Sequence, residues 1–443
     1  MKRILVLGAG MVAGAHVRYL LAQPDFQVTV ASRTLDKARQ LVGGHPRGRA
    51  LQLDTNDAGR MEELIAEADL AVSLLPYVYH PVVAKACVEH RVHLVTTSYV
   101  KEPMQALDEP ARAAGVILLN EVGVDPGIDH MSAMRVIHRV QKSGGEITSF
   151  TSYTGGLPAP EANTNPFGYK FSWSPRGVLL AGKNPAHYLL GGKEVIIPPG
   201  QLFRHSWTVP ISVDGRSILF EGYPNRDSLS YQKLYGIQPA EDMFRGTLRY
   251  QGWCEILQAL AAIGYLDETA RTGLAGQTFA GLTASLIGSR GDLRADLARF
   301  LQSPSDSLPL RAMEWLGLLG DDPLPVNQAA PIDILTERML SKMRYAPGER
   351  DMIVMQHRFG ARFPDRNERI TSTLIDFGVP GGDTSMARTV GLPAAIAVRL
   401  ILQGVIRSVG VQTPVTPEIY DPVLDELANL GIQMSEETEV VAH

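Results

Sequence analysis

Cysteine is scarce in this chain: of 443 residues only Cys87 and Cys254 are cysteines. Two thiols supply neither a disulfide framework nor a thiolate metal site, and they suit a reducing cytoplasm. Strong charge of one sign is also missing. The formal net charge is −5, the pI is about 6.1, and no Lys/Arg block occurs anywhere. That argues against a nucleic acid or a membrane surface as partner. No apolar stretch approaches the roughly eighteen residues of a membrane span, and the apolar run after Lys2-Arg3 is too short for a signal peptide. There is no Gly-x-Ser-x-Gly elbow for nucleophilic catalysis, no internal repeat and no low-complexity segment. Asp129 beside His130 lacks the ligand count and spacing of a metal centre, so no metal is expected; a first-turn acid and a packed or surface histidine fit better.

What is present is a globular composition, 45% hydrophobic and 20% charged, in a chain long enough for two or three domains. Its first fourteen residues organise it. The apolar run Ile4-Leu5-Val6-Leu7 leads into Gly8-Ala9-Gly10-Met11-Val12-Ala13-Gly14 and then a helical stretch. Strand, tight turn and helix in that order, with Gly-x-Gly-x-x-Ala in the turn, make a dinucleotide fingerprint. The first small residue permits the turn, the second lets backbone approach a pyrophosphate, and the third lets helix and strand pack closely. The helix N-terminus then offers N–H groups and a positive dipole end to the phosphates.

Six short apolar runs, at 4–7, 28–31, 50–53, 70–75, 93–97 and 116–119, alternate with helical segments and predict a doubly wound parallel sheet. Ligands of such sheets lie beyond the carboxyl ends of the strands. Arg33, Asp54, Leu75, Thr97-Ser98-Tyr99 and Asn120-Glu121 stand there. Enzymes that use NAD usually carry an acid at the end of the second strand to hold the ribose 2′-hydroxyl, whereas this chain has Ala31-Ser32-Arg33-Thr34. A guanidinium among hydroxyl donors suits a 2′-phosphate, which favours NADP; the alternative for Arg33 alone is a solvated loop position.

Beyond Asn120 a turn through Asp125 starts a helix with Met131, Met134, Ile137 and Val140 on one stripe. From Glu146 the pattern is β structure with loops rich in Gly, Pro and aromatic residues, where substrate contacts often sit. Residues 251–345 read as helical, with a looser stretch at 273–290, and 352–376 return to strand-like alternation. The tail from Ser385 reads as a helix, an extended link through Pro414 and Pro417, and a last amphipathic helix near 421–430. Arg226, Arg245 and Arg249 lie in two loops beside strands and, converging, would suit a substrate with two or three carboxylates; taken singly, each reads rather as a surface or ion-paired arginine. Tyr99, Asp125, Lys170 and His130 are the titratable groups nearest the cofactor edge. These positions leave the proton carrier open.

Seven runs then carry a family likeness: Ser73-Leu74-Leu75-Pro76-Tyr77, Thr96-Thr97-Ser98-Tyr99, residues 120–130, Gly155-Gly156-Leu157-Pro158-Ala159-Pro160, residues 168–174, Tyr223-Pro224-Asn225-Arg226-Asp227-Ser228 and residues 245–252. In this order they resemble the saccharopine reductases, the NADP-dependent, glutamate-forming saccharopine dehydrogenases. The likeness continues through Gly348-Glu349-Arg350-Asp351 and Asp376-Phe377-Gly378 and is weakest from about 265 to 340. It implies a Rossmann domain over 1–124 completed by 385–443, an α/β substrate-binding and dimerisation domain over 125–250 and 346–384, and an all-helical insertion over 251–345.

The activity it implies is reversible joining of L-glutamate and α-aminoadipate semialdehyde through an imine that NADPH reduces to saccharopine. It also implies a homodimer, in the cytoplasm that the scarce cysteines already suit. Position by position, cofactor contacts fall on Ala9, Gly10, Met11, Val12, Ala31, Ser32, Arg33, Asp54, Thr55, Leu75, Thr97, Ser98, Val124, Asp125, Pro126 and Ser174. Substrate contacts fall on Ser98, Tyr99, Asp125, Arg226, Thr247, Leu248 and Arg249, with Tyr99 and Asp125 in the catalytic positions. The chain departs from fungal members at Tyr153-Thr154-Gly155-Gly156, where they read Tyr-Cys-Gly-Gly, and at Ser32-Arg33, where many have Cys-Arg. Alternatives within the fold are a lysine 6-dehydrogenase or carboxynorspermidine dehydrogenase; outside enzymology, a catalytically silent NADP-binding regulatory protein.

Overall fold

The computed structural model describes residues 1–441. The first six strands are β1 (Lys2–Leu7), β2 (Phe26–Ser32), β3 (Gly48–Gln52), β4 (Leu70–Ser73), β5 (His93–Thr96) and β6 (Ile117–Leu119). The next seven are β7 (Glu146–Pro158), β8 (Ala186–Leu190), β9 (Lys193–Ile197), β10 (Trp207–Val213), β11 (Arg216–Pro224), β12 (Asp242–Tyr250) and β13 (Asp351–Arg362). The tail supplies β14 (Asn367–Phe377), β15 (Gly410–Gln412) and β16 (Ser435–Val441). The chain divides into two compact units, one formed by Met1–Ile147 with Ala361–His443, the other by Thr148–Gly360.

In the first unit a parallel sheet runs β15-β6-β5-β4-β1-β2-β3. Its central strands are apolar on both faces because helices cover both: Ile4, Leu5, Val6 and Leu7 of β1 are all buried, as is every residue of β4. The strand order reverses between β1 and β4, which opens a crevice at their carboxyl ends. β15 comes from the tail, beside β6, as a seventh parallel strand. β14 and β16 form an antiparallel pair in the same unit.

The helix Ser385–Leu402 has the length and, at mean hydropathy 1.4, the apolar composition of a membrane span. Seventy-two per cent of it is buried inside the protein, so it is a core helix. It lies against the helix Ala13–Ala22 so closely that a Cβ on Gly391 would stand 2.9 Å from the Val12 carbonyl oxygen.

The second unit is built on a mixed sheet, β10-β11-β12-β7-β13, in which β12 and β7 are parallel and β10, β11 and β12 antiparallel; the β8–β9 hairpin attaches to β12. Five helices follow β12: Trp253–Ile263, Phe279–Ile287, Leu293–Phe300, Leu308–Leu316 and Pro331–Lys342. The stretch expected to be loose at 273–290 therefore contains a helix. Thr278 caps it by accepting from the Gly281 N–H, and Phe279, Leu282 and Thr283 give it a buried face. The last helix also starts earlier than its apolar stripe suggests, at Pro417–Asn429. Pro417 occupies its first turn, where a missing N–H removes no helical bond, and is not part of an extended link.

Candidate active site

The glycine turn is made of backbone that only small residues allow. Gly8 has φ +111°, and a Cβ there would sit 2.9 Å from the Leu74 carbonyl oxygen. At Gly10 the opposite holds: a Cβ would meet nothing within 4 Å. The helix Ala13–Ala22 begins after Val12 with no side-chain cap; the Ala13 N–H donates to the Gly10 carbonyl at 3.2 Å, and no side chain accepts from the first turn. Space at Gly10 and uncapped N–H groups beside it fit a pyrophosphate. Ala9 and Val12 line this turn half-buried, and Met11 stands exposed.

At the end of β2 Ala31 is buried, Ser32 accepts from the Thr34 N–H at 3.3 Å, and Arg33 extends into solvent. After β3, Asp54 closes a turn by accepting from the Asn56 N–H at 2.9 Å, with Thr55 beside it. Leu75 follows β4, half-buried.

Beyond β5 the chain bears Thr97, Ser98 and Tyr99, and the Tyr99 hydroxyl donates to Asp125 Oδ1 at 2.8 Å. The loop that carries Asp125 is tied by hydrogen bonds within itself. Gly123 N–H donates to the Pro126 carbonyl at 2.8 Å, Gly127 N–H donates to Asp129 Oδ1 at 2.6 Å, and Val124 and Pro126 are buried. Beneath it Glu121 is 4% exposed; it accepts from the Val100 N–H at 2.8 Å and shares a 2.8 Å hydrogen bond with His130 Nε2. His130 is thus a packed histidine tied to Glu121, and Asp129 is the first-turn acid of the helix Ile128–Lys142.

Sequence reasoning missed His80. It opens the helix His80–Glu89, is 4% exposed, and sits with Nδ1 2.8 Å from Ser73 Oγ and Nε2 2.8 Å from Ser98 Oγ. Burial holds its pKa down to about 4, so the ring is neutral at physiological pH. Nothing in the local pattern marks it, because its partners come from the ends of β4 and β5.

In the second unit Arg249, near the end of β12, is only 5% exposed. Its guanidinium lies 4.9 Å from the Tyr169 ring and 5.5 Å from the Trp253 ring, and one amino group donates to the Leu248 carbonyl at 2.7 Å. Its Nε has no hydrogen-bond partner, and among the described residues no carboxylate pairs with it. A buried cation cushioned on aromatic faces and in no ion pair has the chemistry to take up an anion, since an unpaired buried charge is costly.

Two glycines shape this place. A Cβ on Gly155 would come within 2.7 Å of the Leu248 carbonyl oxygen, and one on Gly168, at φ +59°, within 2.6 Å of the Tyr250 Cβ. Thr247 is half-buried and hydrogen-bonds the Tyr223 hydroxyl, whose pKa burial pushes up to about 12. Arg226 is exposed at φ +57°, its carbonyl accepting from the His187 N–H at 2.9 Å. Arg245 is 4% exposed and stacks 4.4 Å from the Tyr231 ring. Ser174 caps the helix Pro175–Ala181. Lys170, one of the titratable groups near the cofactor edge in the sequence reading, is engaged by both oxygens of Glu349 at 2.6 Å.

A doubly wound sheet whose phosphate turn leaves room where a second glycine stands, followed by an arginine rather than an acid after its second strand, defines an oxidoreductase of the nicotinamide-dinucleotide class. Residues 4–119 match the model of the saccharopine dehydrogenase NADP binding domain, and residues 123–432 that of the saccharopine dehydrogenase C-terminal domain. The chain belongs to the saccharopine dehydrogenase family.

It is 42% identical over 449 residues to the NADP+, L-glutamate-forming saccharopine dehydrogenase of Schizosaccharomyces pombe, with 99% of both chains covered. The mitochondrial alpha-aminoadipic semialdehyde synthase of Mus musculus is 39% identical over 447 residues, and there the chain spans only 48% of the relative. The apo, histidine-tagged L-Glu-forming saccharopine dehydrogenase of Saccharomyces cerevisiae superimposes with a TM-score of 0.89 at 39% identity, covering all of both chains.

Proposed function

We propose that this chain is an NADP-dependent, L-glutamate-forming saccharopine dehydrogenase. It interconverts saccharopine with L-glutamate and α-aminoadipate semialdehyde in lysine metabolism. The observation that carries the reading within the molecule is the buried guanidinium of Arg249, which no carboxylate pairs with among the described residues while its cross-strand neighbour Glu221 accepts from the Gly252 and Cys254 N–H groups, since saccharopine brings three carboxylates. Full-length likeness to enzymes of that name supports it.

In this reading the turn through Ala9, Gly10, Met11 and Val12 holds the pyrophosphate. Ser32 and Arg33 hold the 2′-phosphate, and Ala31, Asp54, Thr55, Leu75, Thr97, Ser98, Val124, Pro126 and Ser174 complete the cofactor's surroundings. When bound, NADPH supplies the hydride that reduces the imine carbon. The protein's part is binding and orientation. Arg249 and Arg226 hold carboxylates, and Ser98, Thr247 and Leu248 line the substrate. Tyr99, fixed by its hydrogen bond to Asp125, orients with it the nitrogen that ends as saccharopine's secondary amine. Aromatic walls around Arg249 keep water from its guanidinium, which strengthens an ion pair formed there. We place the enzyme in the cytoplasm as a homodimer; sedimentation of the purified chain and fractionation of cells test both.

The deciding experiment follows NADPH oxidation by purified protein with L-glutamate and α-aminoadipate semialdehyde, and repeats it with NADH and with glutamate omitted. Turnover that requires glutamate and prefers NADPH is expected. Oxidation without glutamate would turn the reading toward a lysine 6-dehydrogenase type of activity, and tight NADPH binding without turnover of any amine toward a silent binding protein.

A further inference from the structure

His80 connects hydroxyls at the ends of two adjacent strands and touches no ligand-facing surface itself. Its Nδ1 meets Ser73 Oγ at 2.8 Å, and its Nε2 meets Ser98 Oγ at 2.8 Å and Thr96 Oγ1, less well, at 3.3 Å. Ser73 is 0% exposed and Thr96 1% exposed, and among the described residues neither side-chain hydroxyl has a hydrogen-bond partner besides this ring. Ser98 is half-buried and follows directly before Tyr99.

A neutral imidazole carries one N–H, so one nitrogen donates and the other accepts. If the hydrogen sat on Nδ1, Ser73 would only accept and its own hydroxyl hydrogen would be stranded in the core. Ser98, at 2.8 Å, would also take the single lone pair on Nε2 ahead of Thr96 at 3.3 Å, so the Thr96 hydrogen would be stranded as well as that of Ser73. With the hydrogen on Nε2, Ser73 donates to Nδ1 and is satisfied, Nε2 donates to Ser98, and only the Thr96 hydrogen is left over. Buried polar groups without partners are expensive, so the second arrangement prevails.

We infer that His80 is a positioning residue held in its Nε2–H tautomer by Ser73, and that its donation to Ser98 Oγ leaves the Ser98 hydroxyl hydrogen to be donated to bound cofactor or substrate. The inference rests on the reading above in one respect, that Ser98 is a ligand contact. It assigns a direction to that contact: Ser98 recognises an acceptor, such as a carboxylate or carboxamide oxygen, and discriminates against a donor.

Two readouts test it. In the full chain labelled with 15N-histidine, the His80 resonances, assigned by their loss in His80→Asn, should show one protonated nitrogen, Nε2. In Ser73→Ala, which removes only the buried hydroxyl, that preference should weaken toward a tautomer mixture. A wild-type ring protonated at Nδ1, or a tautomer indifferent to Ser73→Ala, overturns the inference.

The second readout is kinetic. Ser98→Ala and His80→Phe should each raise KM for saccharopine roughly three- to tenfold with a smaller change in kcat, the range of one hydrogen bond. The double variant should be no worse than Ser98→Ala alone, because His80 acts through Ser98. Additive losses, or a fall in kcat that tracks a lowered Tm, overturn it. The spectroscopic readout needs no substrate, so it stands or falls apart from the saccharopine assignment, which wild-type turnover decides.

Discussion

The two units present charge to a ligand in opposite ways. In the first, the groups we propose for the cofactor are backbone N–H groups of a helix without a side-chain cap and a solvated arginine, Arg33. In the second, Arg249 is sealed to 5% exposure between Tyr169 and Trp253. A dinucleotide brings its own charge and water-facing length, so the fold need only leave space and donors. Small carboxylates must be captured whole, and a desolvated guanidinium does this with more energy per contact. Breaking the buried charge should therefore cost the most. Arg249→Ala is expected to lower kcat/KM for saccharopine about 100- to 1,000-fold, as when one partner of a buried charge pair is removed. NADPH affinity, measured by fluorescence titration, should stay within about twofold. Arg249→Lys should recover little, because a point ammonium lacks the planar fork and its stacking on both rings.

The opposite test breaks the first unit and spares the second. Gly10→Val should weaken NADPH binding about 100-fold while Tm stays near that of the parent, because its side chain enters space that no protein atom occupies. Gly8→Ala should lower stability by about 1–3 kcal/mol, since it combines φ +111° with a backbone clash at Leu74. Equal effects of the two on Tm would show that the space at Gly10 is structural. Arg33→Ala is a smaller change in the same place: a loss of roughly 10- to 50-fold in NADPH affinity with NADH affinity unchanged, the range of a charge-assisted contact at a surface. Equal losses with both nucleotides would remove Arg33 from the 2′-phosphate.

The same contrast governs how much of the molecule its sequence shows. The glycine turn and Arg33 lie within one stretch of chain, so strand, turn and helix signals announce them together. Tyr99 and Asp125 both follow strands, which placed them at one rim before their 2.8 Å hydrogen bond was seen. His80, by contrast, is defined by Ser73 and Ser98, and Lys170 by Glu349, 179 residues further on. No periodicity encodes such partners. Among the arginines, sequence spacing could not say that Arg249 is buried while Arg226 faces solvent. That difference arises from Trp253 and Tyr169 closing around one of them. Helix starts are hidden where a single residue decides them: Thr278 caps a helix in a stretch rich in glycine and serine, and Pro417, in a first turn with no side-chain cap, starts another inside an apparent link.

The smallest expected effect separates the units by acid. Burial lowers the pKa of His16 and His80 to about 4 and depresses that of His93, and all three belong to the first unit. Each is neutral when folded but takes up a proton near pH 6.5 when unfolded. The unfolded chain thus binds more protons between pH 6.5 and about 4, and stability falls as pH falls through that window. The second unit responds later. Burial pushes the Glu349 carboxyl up, but its hydrogen bonds to Lys170 and the Ala346 N–H outweigh this and hold it low, so its contribution is lost as pH falls from the ordinary carboxylate range through that lowered value. Lowering pH from 7 to 5.5 should cost about 1 kcal/mol for each of His16 and His80. His16 is the cleaner probe, being fully buried with Nδ1 on the Gly391 carbonyl and Nε2 without a partner. Urea unfolding of His16→Leu should show a shallower pH slope than the parent by that amount. Amide exchange at pH 5.5 should quicken in the helices Ala13–Ala22 and Ser385–Leu402 before it does so in β7 and β12. Earlier loss of protection in the second unit would mean that its carboxylates, and not the buried histidines, set the acid limit.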